Sequence, residues 1–151
     1  VRSRRQRQMC IRDSIGGLEA TTPVLEAAKE AGIPIRIGVN AGSLDAHLRD
    51  DAALSLPQKL ARSACEYVEF CEAQGFTDLV VSAKAHDVPT TVETYRIISR
   101  ELPHIPLHIG VTEAGTLFQG LIKSASGLGI LLEQGIGEPC ASPLPMIRSK
   151  R

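Results

Sequence analysis

The chain has 151 residues, a formal net charge of zero, 43% apolar residues and only 3% aromatic residues. This length favours a single domain, whose core must be built mainly from Ile, Leu, Val and Ala. No apolar run approaches the roughly 20 residues that span a bilayer, and no apolar segment of a signal peptide follows the basic start. Four cysteines at irregular spacing do not indicate a disulfide framework, so we expect a reducing, cytoplasmic setting.

Both ends of the sequence are predicted to be non-native. Residues 1–14 hold five Arg and one Asp, residues 139–151 hold three basic residues and no acid, and the segment between them has a charge near −7. The segment from Arg4 to Ser14, RRQRQMCIRDS, matches the translation of a transposase sequencing adapter. We favour this origin over the alternative that the segment is a basic arm for binding nucleic acid. We predict an adapter-derived tail at 1–14, a native segment at 15–138 and a non-native tail at 139–151.

Helices and strands are predicted to alternate along the native segment. Apolar residues at helical spacing predict helices over 18–31, 57–74, 88–102 and 120–133, and Asp87 is the expected N-cap of the third. Short apolar runs predict strands over 34–39, 77–83 and 106–111, with a long polar loop over 40–56.

Strict alternation implies an α/β fold with a parallel sheet. Short turns and units of similar length favour a (β/α)8 TIM barrel over a doubly wound sheet. A whole barrel needs eight strands and about 250 residues. Three strands therefore predict a partial TIM barrel and a chain that is one piece of a longer protein.

Polar residues lie on or directly after each predicted strand. Arg36 and Asn40 share one face of the first strand, Lys84 follows the second, and Glu113 follows the third. Functional groups of a barrel gather at the carboxyl ends of its strands. Arg and Lys bind phosphate oxygens, Asn orients a hydroxyl, and Glu transfers a proton. The set predicts a site for a phosphorylated substrate.

Some of these residues leave alternatives open. Along an extended strand, Glu113 would lie on the same face as Ile109 rather than on the face of His108 and Thr112. It can face the barrel mouth only if the strand ends before it. His108 is more often a structural histidine than a ligand. Cys65 and Cys71 lack the C-x-x-C spacing of metal and cluster sites, so we predict that they are small buried apolar residues and that this chain holds no metal.

Four motifs resemble the barrel domain of 4-hydroxy-3-methylbut-2-enyl diphosphate synthases: IPIRIGVNAGSL, VVSAKAHD, LHIGVTEAG and IKSASGLGILLEQGIG. They are collinear over about 15–137 and would be strands five to seven of the barrel with their helices. The resemblance implies that Arg36, Asn40 and Lys84 bind substrate and that Glu113 is catalytic. The implied activity is an oxidoreductase of isoprenoid biosynthesis that reductively opens and dehydroxylates 2-C-methyl-D-erythritol 2,4-cyclodiphosphate.

The resemblance also implies parts that this chain does not match. The family carries a [4Fe-4S] cluster on a separate domain, takes electrons from reduced flavodoxin or ferredoxin, and works as a homodimer. The phosphate-binding arginines of earlier strands and the cluster cysteines have no counterpart here, so we expect this fragment to be inactive and to bind no cofactor.

Local departures from the family pattern concern two loops and the end of the chain. His86 stands where the family usually has Ser, and the loop at Thr116-Leu117-Phe118 is bulkier than usual. The family continues after GIG with an eighth strand containing RVSL. A one-base shift of suitable codons from Glu138 onward restores that strand, so residues 139–151 are predicted to be a frameshift product.

Two other functions stay open at this point. One is a different TIM-barrel enzyme of the pterin-binding synthase type, and the other is a standalone phosphate-binding module. No nucleic-acid or membrane partner is expected.

Overall fold

A computed structural model describes residues 9–12, 18–111 and 116–137. Within these ranges a parallel sheet has the strand order β1-β2-β3, formed by β1 (Met9–Arg12), β2 (Ile35–Asn40) and β3 (Leu79–Lys84). The helices are α1 (Thr22–Ala31), α2 (Ala46–Arg49), α3 (Leu56–Ala73), α4 (Val88–Glu101) and α5 (Leu117–Glu133), and a 3-10 turn at Glu19–Thr21 leads into α1.

Helices cover one face of the sheet. Ile35, Ile37 and Val39 alternate along β2 and are buried in one core with residues of α3 and α4. The other face of β2 carries Arg36 and Asn40 and is half-buried to exposed. Because the helices of a TIM barrel lie outside its strands, this helix-free face corresponds to the inside of the barrel. We call it the inner face.

The long helices begin at recognisable caps. Ser55 and Gln58 form a capping box at the start of α3, and the Asp87 carboxylate accepts a hydrogen bond from the Thr90 backbone N–H at 2.8 Å at the start of α4. These side chains satisfy N–H groups that have no partner within the helix. Asp87 is thereby confirmed as the predicted N-cap.

The predicted elements are confirmed to within a few residues, with three differences. The polar loop at 40–56 contains the short helix α2, and α5 begins three residues earlier than expected because Thr116 and Gln119 form a capping box. The strand predicted over 106–111 is wrong in extent, since only Leu107 bridges Val81. Backbone hydrogen bonds fix this short segment to β3 alone: Val81 N donates to Pro106 O and His108 N donates to Val81 O. No strand borders its other side among the described residues.

The terminal segments are described only in part. Met9–Arg12, inside the predicted adapter-derived tail, pairs in parallel with Ile35–Gly38. This pairing places the segment at the sheet edge but carries no information on its origin, which stays a prediction. Residues 139–151 lie outside the described residues, so the predicted frameshifted tail has no structural test.

The part of the chain that the structure describes holds no helix with the length and apolar character needed to cross a membrane.

Candidate functional site

The register of the two best-formed strands brings the predicted binding residues together. Arg36 is opposite Val80, and Asn40 is opposite Lys84, in the parallel pairing of β2 with β3. Residues opposite each other in a sheet project from the same face. Arg36, Asn40 and Lys84 therefore share the inner face, and the last two lie side by side at the carboxyl ends of their strands.

Arg36 contacts a histidine that the sequence did not single out as a site residue. Its Nη1 lies 3.1 Å from Nδ1 of His108. A guanidinium only donates hydrogen bonds, so the imidazole nitrogen must accept, and the neutral ring then carries its proton on Nε2. The pKa of His108 is lowered by desolvation first, then by the positive charges of Arg36 and Lys84. The geometry and the charges both favour a neutral imidazole.

Tyr95 of α4 reaches the same strand ends from the core side. Its buried hydroxyl donates to the carbonyl of His108 at 2.8 Å and accepts from the N–H of Ala83 at 3.1 Å. Burial raises the pKa of Tyr95, and the Ala83 N–H and the Arg36 charge offset part of that rise. The phenol therefore stays protonated and ties the end of β3 to the segment that carries His108.

Asn40 shapes the loop that follows β2. Its side-chain oxygen accepts from the Gly42 N–H at 2.7 Å, and its carbonyl accepts from the Ser43 N–H at 3.2 Å. This is an Asx turn. A backbone N–H can only donate, so the contact identifies the carboxamide oxygen, and the nitrogen is the donor end of the group. A Cβ at Gly42 would lie 3.3 Å from that oxygen, which leaves little room for a larger residue.

Lys84 lies at the end of β3 and close to the segment after Leu107. The side chain is half-buried, and its Cε would lie 3.8 Å from a Cβ added at Gly110. Lys84 also acts on the His108 imidazole through its charge. The inner face thus combines two cations and a neutral imidazole, an arrangement that attracts anions.

Glu113, the predicted catalytic residue, lies outside the described residues, so its role stays a prediction. The structure also does not test the binding roles of Arg36, Asn40 and Lys84, although it shows where they lie.

The two cysteines of α3, Cys65 and Cys71, do not fit an iron–sulfur cluster. Both are buried on α3, and the Cys65 thiol donates to a Glu101 carboxylate oxygen at 3.0 Å. Burial, with the nearby Glu101, raises the pKa of Cys65 to about 12, and burial with Glu72 raises that of Cys71 to about 11. Cluster ligands must be thiolates, so these thiols are unsuited, and their predicted burial is confirmed. The described ranges contain no group of three or more potential metal ligands.

The family follows from comparison with known proteins. The sequence matches the GcpE TIM-barrel domain over residues 12–141. The chain belongs to this family. The partial TIM barrel and the family resemblance inferred from the motifs are thereby confirmed.

Curated relatives carry the enzyme name that the motifs suggested. The chain is 49% identical over 125 residues to 4-hydroxy-3-methylbut-2-en-1-yl diphosphate synthase (flavodoxin) of Caldanaerobacter subterraneus subsp. tengcongensis, covering 83% of the chain and 35% of the relative. It is 43% identical over 125 residues to the protein of the same name from Brevibacillus brevis, covering 83% of the chain and 34% of that relative. It is 44% identical over 140 residues to the one from Acidithiobacillus ferrooxidans, covering 89% of the chain and 38% of that relative. The chain spans about a third of the length of these relatives.

Proposed function

We propose that this chain is part of the substrate-binding barrel of an oxidoreductase of isoprenoid biosynthesis. The substrate would be 2-C-methyl-D-erythritol 2,4-cyclodiphosphate, which is reductively opened and dehydroxylated to 4-hydroxy-3-methylbut-2-enyl diphosphate. The observation that carries the proposal is the register that aligns Asn40 with Lys84 on the face that also carries Arg36. The names of the relatives support the product and the flavodoxin dependence.

The inner face suits a diphosphate chemically. Arg36 can bind two phosphate oxygens with its planar guanidinium, and Lys84 adds a compact point charge at the strand end. Asn40 lies beside Lys84 and adds an amide group suited to a hydroxyl or bridging oxygen of the substrate. The two cations offset part of the negative charge of the diphosphate, and the neutral imidazole adds no charge of its own.

Glu113 is proposed to hold or move a proton at the hydroxyl that the reaction removes. The support is its place in the TEAG motif, directly after the segment that carries His108. A carboxylate is suited to this task because its pKa can be tuned by the surrounding charges.

The redox part of the reaction would lie outside this chain. We propose that a [4Fe-4S] cluster on a separate domain supplies electron transfer, that reduced flavodoxin or ferredoxin delivers the electrons, and that the full-length enzyme is a cytoplasmic homodimer. Because neither cysteine of α3 fits the cluster, we expect this chain alone to show no turnover.

A chimera tests the assignment. Residues 15–137 would replace the matching segment of the Caldanaerobacter synthase, and turnover would be measured with reduced flavodoxin. We expect Arg36→Gln and Glu113→Gln each to lower turnover by roughly a hundredfold or more, which corresponds to about 2.7 kcal/mol of transition-state stabilisation.

Arg96→Gln serves as the matched control, because Arg96 is a helix-surface arginine that contacts Glu93 and Gln134. That variant is expected to keep the turnover of the unmodified chimera. Unchanged rates in both Arg36→Gln and Glu113→Gln would refute the assignment.

A further inference from the structure

We propose that His108 is a positioning residue for Arg36, with its imidazole Nδ1 accepting a guanidinium hydrogen bond that holds Arg36 on the inner face. The hydrogen bond is observed at 3.1 Å between Arg36 Nη1 and His108 Nδ1. The consequence for substrate rests on the proposed function, since it assumes that Arg36 binds the diphosphate. The positioning itself does not depend on any ligand.

The position of His108 is set from two sides. Its backbone N–H donates to the Val81 carbonyl at 2.8 Å, and its carbonyl accepts from the Tyr95 hydroxyl at 2.8 Å. Tyr95 is itself fixed by the Ala83 N–H. A strand and a buried helix residue therefore fix the His108 backbone, and the exposed imidazole contacts Arg36 from that fixed position.

The contact requires an unprotonated Nδ1. An imidazolium donates from both nitrogens and could not accept from a guanidinium, and the two positive charges would repel each other. The charged groups facing the His108 imidazole in the described structure are Arg36 from β2 and Lys84 from β3, while the neutral Tyr95 phenol of α4 contacts the His108 carbonyl. Both cations oppose protonation, which keeps the imidazole in the form that accepts.

Two substitutions of His108 separate the effect of losing the hydrogen-bond acceptor from the effect of changing the size of the side chain. In His108→Asn the carboxamide oxygen can take the place of Nδ1 as an acceptor and does not titrate. His108→Leu keeps an apolar side chain of similar size but offers no acceptor. His104→Asn is the control, since His104 pairs with Glu72 at 2.9 Å at the opposite end of this segment.

Nuclear magnetic resonance of the ligand-free chain tests the proposal through the His108 ring nitrogens and the Arg36 guanidinium. We expect a single Nε2–H tautomer, a pKa below the ordinary value of about 6.5, and an upward shift of that pKa in Arg36→Gln. We also expect slow rotation of the guanidinium in the wild type, His108→Asn and His104→Asn, and loss of that slow rotation in His108→Leu.

Mixed tautomers, a His108 pKa that does not respond to Arg36→Gln, or equal guanidinium rotation in the wild type and His108→Leu would each overturn the proposal. Because no substrate is present, these outcomes are independent of whether the chimera turns over. A chimera that is inactive while His108 still holds Arg36 would count against the proposed function alone.

Discussion

A single phenol connects the helix layer to the inner face. The Tyr95 hydroxyl satisfies the Ala83 N–H and the His108 carbonyl at once, and the side chain is fully buried. Buried polar groups that lose a partner cannot recover one from water. Tyr95 of α4 therefore adds to the backbone hydrogen bonds at Val81 in fixing the end of β3 to the segment that carries His108.

Tyr95→Phe should destabilise the fold because it leaves two backbone groups without this partner. We expect a loss of about 1–3 kcal/mol in the free energy of unfolding, measured by urea denaturation. Arg100→Gln, an exposed change on the same helix, should change the value by less than about 0.5 kcal/mol. Equal stability of the Tyr95→Phe variant and the wild type would show that the hydroxyl bridge contributes nothing.

Cys65 makes the stability of the fold sensitive to alkaline pH. Its pKa is raised to about 12 by burial and by Glu101, above the ordinary thiol value of 9.0. An unfolded chain would release this proton first as the pH rises. The stabilising effect is thus complete below about pH 9 and declines as the pH rises toward 12.

Cys65→Ala should accordingly flatten the decline in unfolding free energy between pH 8.5 and 10.5, as measured by urea unfolding at each pH. Cys71→Ala should flatten it by a similar amount, because the folded-state pKa values of both thiols, about 12 and about 11, lie above this pH window. A Cys65→Ala variant with the same pH slope as the wild type would contradict the assigned shift.

At the scale of the elements, local signals predicted the helices well. Pro57 and Gly75 bracket α3, and Asp87 with Pro89 starts α4. These signals act within a few residues, so the sequence alone carries them. By contrast, the extent of the strand near Leu107 depends on neighbouring strands, and a local reading overestimated it.

The candidate site likewise combines features that local sequence predicts with features that depend on distant parts of the chain. Strand parity was enough to place Arg36 and Asn40 on one face, since alternation is a local property. The link from Arg36 to His108 spans 72 positions in the sequence. It depends on how β3 lies between them, so no spacing rule could identify His108 as a partner. Its place within the third predicted strand was the only available signal.

Asp87, the N-cap of α4, is expected to stabilise the fold through its side-chain hydrogen bond to the first turn of the helix. Desolvation alone would raise the Asp87 pKa, but hydrogen bonds from Thr90 and the charge of His86 lower it overall. Asp87→Ala should destabilise the fold by about 1 kcal/mol in urea denaturation. Asp45→Ala is the matched control, because Asp45 precedes α2 without a side-chain cap hydrogen bond, and it should cost clearly less.

The Asp87 contribution should also depend on acidity. Because the folded-state pKa is lowered, the stabilisation is present above the unfolded value of about 3.9 and is lost as the pH falls through the folded value. The difference between the wild type and Asp87→Ala should therefore shrink below about pH 4. A difference that stays constant down to pH 2 would contradict the capping role of the carboxylate.

At the scale of the whole molecule, the first turns of α5 carry an apolar patch, formed by Leu117, Phe118, Leu121 and Ile122. Their exposures are 93%, 71%, 67% and 50%. Contiguous exposed apolar residues are uncommon in soluble monomers and promote association. Among the described residues the sheet ends at β1 on one side and beside Leu107 on the other, and such edges add a second route to association.

Leu121→Glu should lower self-association of the isolated chain, because it places a charge in the middle of this apolar patch. The measurement is the concentration dependence of the mass by light scattering. Glu26→Gln, an exposed change on α1, should leave the concentration dependence as it is. If Leu121→Glu associates as strongly as the wild type, the strand edges rather than the patch cause association.

The central claim is that the inner face of this partial barrel binds a diphosphate. The most direct measurement is a crystal structure of the chimera with the cyclic diphosphate bound. The account predicts diphosphate oxygens within hydrogen-bonding distance, about 2.7–3.2 Å, of Arg36 and Lys84 nitrogens, with Asn40 contacting the same ligand. A well-ordered diphosphate bound elsewhere in the barrel, away from all three side chains, would contradict the proposed binding site.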